Sequence, residues 1–170
     1  MWGTVLVVAV AGTAWIALEP VPARGGDGRQ RPWITVAGDG FKVDLPVAPV
    51  TSVVGNGAAH VTTASAGGGA FSVVWFGVPA GVQPVVALVR ALQALAGGPA
   101  NVISAQASRT GPFQSAEVTA RLPPAFLHGR LLVVGRRAYL VAELGPSEVP
   151  PPQLERLLRS FDPDVGAGAT

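Results

Sequence analysis

Apolar and polar residues alternate along much of the chain after residue 32, which is the period of β-strands with one face exposed to water. Two short breaks, Gly55-Asn56-Gly57 and Gly135-Arg136-Arg137, are typical of hairpin turns, because Gly and Asn tolerate positive φ. Alternation, together with the aromatic and β-branched composition of the buried segment Phe71–Val78, predicts strands over Trp33–Ala37, Phe41–Pro46, Val50–Val54, Ala58–Ser65, Phe71–Val78, Asn101–Thr110, Ala116–Leu122, Phe126–Val134 and Ala138–Leu144.

Two segments have a helical period instead. In the first, Pro84 starts a helix and Gly97-Gly98-Pro99 ends it, with Val85, Leu88, Val89, Leu92 and Leu95 on one face. The second follows Pro150-Pro151-Pro152 and stops at Asp162-Pro163, with Leu154, Leu157, Leu158 and Phe161 on one face. Strands, a helix, more strands and a second helix thus follow one another along the chain. This order disfavours a parallel doubly wound sheet and predicts an α+β fold. We expect an antiparallel sheet of about six to eight strands with two helices packed on it.

The chain begins with an uncharged apolar run, Trp2–Leu18, of 17 residues. This is the shortest length for a membrane-spanning helix and is long for the apolar part of a signal peptide. The small residues at Val21-Pro22-Ala23 suit a signal peptidase, so a cleaved signal peptide and an uncleaved anchor both remain open. Arg24, Arg29 and Arg31 follow the run, so the positive-inside rule would place the C-terminal domain in the cytoplasm, which conflicts with export and leaves the side of the membrane open.

We therefore divide the chain into four parts: a hydrophobic helix at 1–23 acting as signal peptide or membrane anchor, a flexible linker at 24–32, an α+β domain at 33–163, and a disordered tail at 164–170. The expected location is the cell envelope, either exported or membrane-anchored.

Composition excludes several classes of protein. The chain is 49% hydrophobic and 13% charged, with a net charge of +2, whereas soluble domains are about 25% charged. It is too apolar for a disordered tail and lacks the dense basic patch of a nucleic-acid binder. The absence of cysteine excludes disulfides and thiolate chemistry.

The domain resembles the PsbP-like/Mog-type α+β fold, as in small exported or membrane-tethered bacterial proteins of unknown function. The resemblance spans most of residues 39–162. It is carried by the order and spacing of Phe41-Lys42-Val43-Asp44-Leu45-Pro46, Phe71-Ser72-Val73-Val74-Trp75, Gly97-Gly98, Gly111-Pro112-Phe113, Arg130–Val134, Arg136-Arg137-Ala138-Tyr139 and Ser160-Phe161. It implies a binding or scaffolding role and supplies no catalytic residue.

The residues that carry chemistry are few. The only histidines, His60 and His128, lack the spacing of metal ligands. No Gly-x-Ser-x-Gly turn and no phosphate-binding loop is present. Acid pairs, Asp39 with Asp44 or Glu117 with Glu143, could approach across a sheet, but surface pairing with Arg121 or Arg137 is expected. We predict no enzyme activity, catalytic residue, metal or cofactor.

Two groups of residues are candidates for binding. Arg130, Arg136, Arg137 and Tyr139 form a candidate contact for an anion or a partner, although a charged hairpin tip that keeps an exposed turn soluble is the favoured explanation. Trp75 and Phe76 are candidate groove aromatics, one on each face of their strand, although core packing is the favoured explanation of such residues.

The prediction is thus a non-enzymatic accessory or interaction domain. Its partner is an unidentified protein or the membrane surface, with no nucleic acid, and it is a monomer or weak oligomer. The alternatives are a small-ligand-binding domain with a groove between the sheet and the helix at 84–96, or a hydrolase with an unfamiliar site.

Overall fold

The computed structural model describes residues 6–10, 14–18, 32–54, 59–96 and 100–164. Nearly all of the predicted linker and tail lies outside these ranges, as do the Gly55-Asn56-Gly57 and Gly97-Gly98-Pro99 breaks. The described elements are β1 (Leu6–Val10), β2 (Ala14–Leu18), β3 (Ile34–Gly38), β4 (Phe41–Leu45), β5 (Val50–Val54), β6 (Ala59–Ala66), β7 (Gly69–Gly77), α1 (Pro84–Ala96), β8 (Asn101–Thr110), β9 (Phe113–Leu122), β10 (Ala125–Val134), β11 (Arg137–Gly145), α2 (Pro152–Ser160) and β12 (Asp162–Pro163).

Seven strands form one antiparallel sheet in the order β5-β6-β7-β11-β10-β9-β8. Most neighbours are consecutive hairpins, and only the central β7–β11 pairing joins strands that are distant along the chain. The predicted sheet-rich α+β fold, with an antiparallel sheet and two helices, is therefore confirmed.

A second, smaller sheet has the order β12-β4-β3. The sequence analysis expected a single sheet, and this part of that expectation was wrong. Alternation shows that Phe41–Leu45 is a strand, but it does not show which strand it pairs with. The pairing of β12 with β4 was missed as well, because Asp162-Pro163 was interpreted only as a helix stop.

The large sheet separates two cores. On one face, α1 contributes Ala87, Leu88, Ala91, Leu92 and Leu95 to the first core. On the other face, the small sheet and α2 contribute Phe41, Val43, Leu45, Leu154 and Leu157 to the second. The alternation of β7 serves both cores, since Val74 belongs to the first, and Val73 and Trp75 belong to the second.

The N-terminal run differs from its prediction. Leu6–Val10 and Ala14–Leu18 are strands that pair antiparallel, not parts of a hydrophobic helix. Val7, Val8 and Val10 have branched Cβ atoms, which lose rotamer freedom in a helix and fit a strand better. β1 lies beside α1, and β2 lies beside β5. Neither described helix combines the length and the apolarity needed to cross a membrane.

Candidate functional site

Two of the four predicted contact residues, Arg137 and Tyr139, hold the β3–β4 turn through hydrogen bonds within the chain. Arg137 Nη1 donates to the carbonyl oxygen of Asp39 at 3.0 Å and lies 3.3 Å from the Asp39 carboxylate. The Tyr139 hydroxyl donates to the carbonyl oxygen of Gly40 at 3.1 Å. Burial raises the pKa of Tyr139, so the phenol stays protonated and keeps this hydrogen bond at neutral pH. Both side chains thus attach the β3–β4 turn to the large sheet.

The other two contact residues lie elsewhere. Arg130 Nη2 donates to Glu117 Oε1 at 2.8 Å across the β9–β10 pair. Arg136 is exposed at the β10–β11 turn, directly after Gly135, whose φ of 61° explains the glycine there. The structure therefore brings together Arg137 and Tyr139, and it does not gather the four residues into one anion site.

Tyr139→Phe should lower the free energy of unfolding by about 1 kcal/mol, because it removes one of the two donors to the Gly40 carbonyl and leaves only the Asp164 amide. Arg136→Ala is the matched control, since Arg136 is exposed and its removal should change stability by less than about 0.5 kcal/mol. Urea denaturation of both variants measures the difference. Equal stabilities for Tyr139→Phe and the unmodified protein would show that the turn does not need this hydrogen bond.

The predicted groove aromatics do lie on opposite faces of β7. Trp75 is buried in the second core, where Phe41 meets it edge-on at 5.1 Å and His60 stacks on it at 5.2 Å between ring centroids. Phe76 is half-buried against the first core. Buried α1 side chains such as Leu88 and Leu92 fill the side of that helix facing the sheet. This packing favours the core interpretation of both aromatics over a ligand groove beneath α1.

A buried polar pair, His128 and Glu143, was missed by the sequence analysis as a unit. The two residues lie opposite each other in the β10–β11 register, so their side chains share the face that carries the second core. They are 2% and 5% exposed, whereas the sequence analysis placed Glu143 in a surface ion pair. The available signal was strand parity, since Tyr139, Val141 and Glu143 alternate with Leu140, Ala142 and Leu144.

Hydrogen bonds hold both nitrogens of His128. Nε2 lies 3.0 Å from the carbonyl oxygen of Ser147, which can only accept, so Nε2 carries a proton. Nδ1 lies 3.3 Å from the Thr119 hydroxyl, and in the neutral ring Nδ1 accepts a hydrogen bond from this hydroxyl. His128 thus joins β9, β10 and the segment that leads from β11 to α2.

The carboxyl group of Glu143 lies in a space left by two glycines. A Cβ atom at Gly69 or Gly145 would come within 2.6 Å or 2.3 Å of Glu143 Oε1. Oε2 has no hydrogen-bond partner among the described residues. Burial raises the pKa of Glu143 to about 7. Near neutral pH this carboxyl is therefore partly protonated, which reduces the energetic cost of burying it.

An open, charged groove of about 420 Å³ lies beside α2. Two of its cations already have partners, since Arg156 lies over the Trp33 ring at 4.7 Å and Arg159 pairs with Glu155. The lining residues are Asp44, Pro152, Glu155, Arg156, Arg159 and Ser160. The contacts of both arginines stabilise α2 and its attachment to the domain.

Part of the solvent side of α1 is apolar, beside the exposed Arg90 and Gln93, and exposed valines are unusual for a helix at the surface of a domain. Val85, Val86 and Val89 are 37%, 48% and 44% exposed. On the sheet, Val102 and Ile103 of the edge strand β8 are exposed as well. The helical period predicted Val85 and Val89 for the core face, but the buried face of α1 is centred on Leu88, Ala91 and Leu95.

No protein-family model matches this chain, and no curated protein matches it significantly. Within the described ranges, no three His, Asp or Glu side chains come together as metal ligands.

Proposed function

We propose that residues 33–163 form a non-enzymatic interaction domain that residues 1–23 export or anchor at the cell envelope. The observation that carries this proposal is the exposed valine face of α1, formed by Val85, Val86 and Val89. Contiguous apolar surface on a soluble domain is characteristic of interaction sites, because exposing it to water is unfavourable. The proposed occupant is a protein of the envelope with an apolar surface.

The contacts of the polar side chains support a structural role for them. Arg137 and Tyr139 hold a turn, Arg130 pairs with Glu117, and both nitrogens of His128 are engaged. A general base must present a free nitrogen to its substrate. His128 would first have to release Ser147 or Thr119, which disfavours the hydrolase alternative even though an acid lies beside this histidine.

The targeting role of residues 1–23 rests on their sequence. Valine-rich segments form strands in water, but a bilayer requires each backbone group to pair within the segment and so selects a helix. A signal peptide or anchor is therefore compatible with strands at Leu6–Val10 and Ala14–Leu18 outside the membrane. The PsbP-like resemblance belongs to the same proposal.

Cell fractionation with N-terminal sequencing tests the targeting. We expect either a chain that starts near Arg24 in the exported fraction or an intact Met1 in the membrane fraction. The first result identifies a cleaved signal peptide and the second an anchor. An intact Met1 in the soluble cytoplasmic fraction would contradict the proposal.

Site-specific photo-cross-linking in cells tests the valine face. A cross-linking residue at Val86 should give a discrete product of higher mass, whereas one at Gln153, exposed on α2, should not. Monomer alone at both positions would show that the valine face has no partner. A product whose mass equals the chain plus a different protein is the expected result.

A further inference from the structure

We infer that two copies of this chain pair through β8, edge to edge and antiparallel, to form one continuous sheet. The inference does not depend on the valine face or on the targeting segment. Among the described strands, β8 is the terminal strand of the large sheet and is bonded on one side only, to β9. Its ten residues therefore present a free row of backbone donors and acceptors to a second strand.

The edge lacks most of the features that prevent strand pairing. Natural edge strands are usually short, charged, or interrupted by proline. In β8, all residues from Asn101 to Ala107 are exposed, and Arg109 is the only charged residue. A single bulge between Val102 and Ser104 is confined to one end of the strand. The segment from Ser104 to Thr110 keeps a regular register with β9, without a further bulge.

The two faces of β8 differ, and this difference favours a second copy as the occupant. Val102, Ala105 and Ala107 lie opposite first-core residues of β9, so they share the face that carries α1. The other face carries Ser104, Gln106 and Ser108, of which Ser108 bonds to Ser115 at 2.8 Å. A two-fold axis perpendicular to the sheet matches apolar face with apolar face and polar with polar.

Charge favours the antiparallel orientation. A two-fold axis near Ala105 places Arg109 of each copy opposite the uncharged start of the other strand, near Asn101. A parallel pairing would instead bring the two Arg109 side chains together, and like charges directly opposite each other are unfavourable. The antiparallel axis also places both α1 helices on the same side of the joined sheet.

The opposite edge of the sheet is a poorer site. β5 has five residues, half the length of β8, and β2 lies beside it. Pairing of β8 with β5 of another copy would also leave free edges and continue as a filament, whereas β8–β8 pairing closes as a dimer. The structure therefore assigns the longer edge to a two-fold interface.

The absence of cysteine makes the test direct, because each introduced thiol is unique. The full chain would be prepared in mild detergent as single-cysteine variants and treated with a short bis-maleimide. Ala105→Cys should give at least tenfold more two-chain product than Val50→Cys, which places its thiol on the exposed opposite edge. Equal yields from the two variants would overturn the inference.

Orientation is tested with two further variants. Asn101→Cys and Arg109→Cys should each cross-link poorly alone, since an antiparallel pair keeps like ends roughly 25 Å apart at about 3.3 Å per residue. A mixture of the two should cross-link efficiently. Efficient self-cross-linking of each variant would indicate parallel pairing and contradict the proposed antiparallel dimer.

A charge on the edge should separate the copies without unfolding them. Ala107→Lys is expected to convert the dimer to monomer by light scattering at unchanged melting temperature, whereas Gln93→Lys, exposed on α1, should leave the dimer intact. A dimer that persists in Ala107→Lys would refute the β8 interface. Ala105→Cys products with a different protein but not with a second copy would also refute it, and they would leave the proposed interaction function standing.

Discussion

Glu143→Gln should raise the free energy of unfolding at pH 8 by about 2 to 3 kcal/mol and leave it nearly unchanged at pH 4. Burial raises the pKa of Glu143 from its ordinary 4.5 to about 7, and one pKa unit corresponds to about 1.4 kcal/mol. Below pH 4.5 the carboxyl is protonated in both the folded and the unfolded chain, so burial costs little.

The sign of the pH dependence follows from these values. As the pH rises from 4.5 to about 7, the unfolded chain loses this proton while the folded chain retains it, so stability falls. Above about pH 7 the folded protein also carries the buried charge, and the loss is complete. Glutamine has no proton to lose, so its variant lacks this decline.

Chemical denaturation at pH 5, 6, 7 and 8 measures the effect. Glu148→Gln is the matched control, because it makes the same chemical change at an exposed position. The free energy of unfolding of Glu148→Gln should change with pH in the same way as that of the unmodified protein. If the free energy of unfolding of Glu143→Gln fell with rising pH in the same way, the buried carboxyl would not be the cause of this fall.

Gly129→Ala should prevent stable folding, with a loss of more than about 3 kcal/mol. Gly129 lies in β10 next to β11, and a Cβ atom there would lie 2.4 Å from the carbonyl oxygen of Val141. It would also lie 2.7 Å from the Ala142 Cβ. These neighbours are backbone or directly attached to it, so two strands near the centre of the sheet would have to separate.

Gly77→Ala provides the comparison in the same sheet. No atom lies within 4 Å of a Cβ atom at Gly77, which ends β7. Its stability should stay within about 1 kcal/mol of the unmodified protein, with a small gain from the stiffer unfolded chain. Thermal unfolding followed by circular dichroism distinguishes the two variants. A cooperative transition for Gly129→Ala near that of Gly77→Ala would contradict the steric argument.

Local pattern was sufficient for most of the individual elements. The alternation at Ala116–Leu122 and the helical spacing around Leu88 and Leu92 report which face of each segment is buried, and the structure has β9 and α1 at those places. The small sheet was not predictable in the same way, because alternation does not show which strands pair, and β4 pairs with β3 and β12.

The site was harder to predict than the fold. Arg137 and Tyr139 were identified as neighbours on one strand, but their acceptors, Asp39 and Gly40, lie almost a hundred residues earlier in the chain. Glu143 was taken for a surface acid because glutamate usually is one. Only the spatial positions of Gly69 and Gly145 reveal the space that admits its carboxyl group.

The separation of the two cores by the large sheet has a consequence for how this protein can diverge. Substitutions at Val86 or Val89 alter the surface on one side, while Tyr139, His128 and Glu143 lie on the other. Residues without shared neighbours contribute to stability almost independently. The α1 surface can therefore change over evolutionary time, while the opposite side preserves the architecture on which it is built.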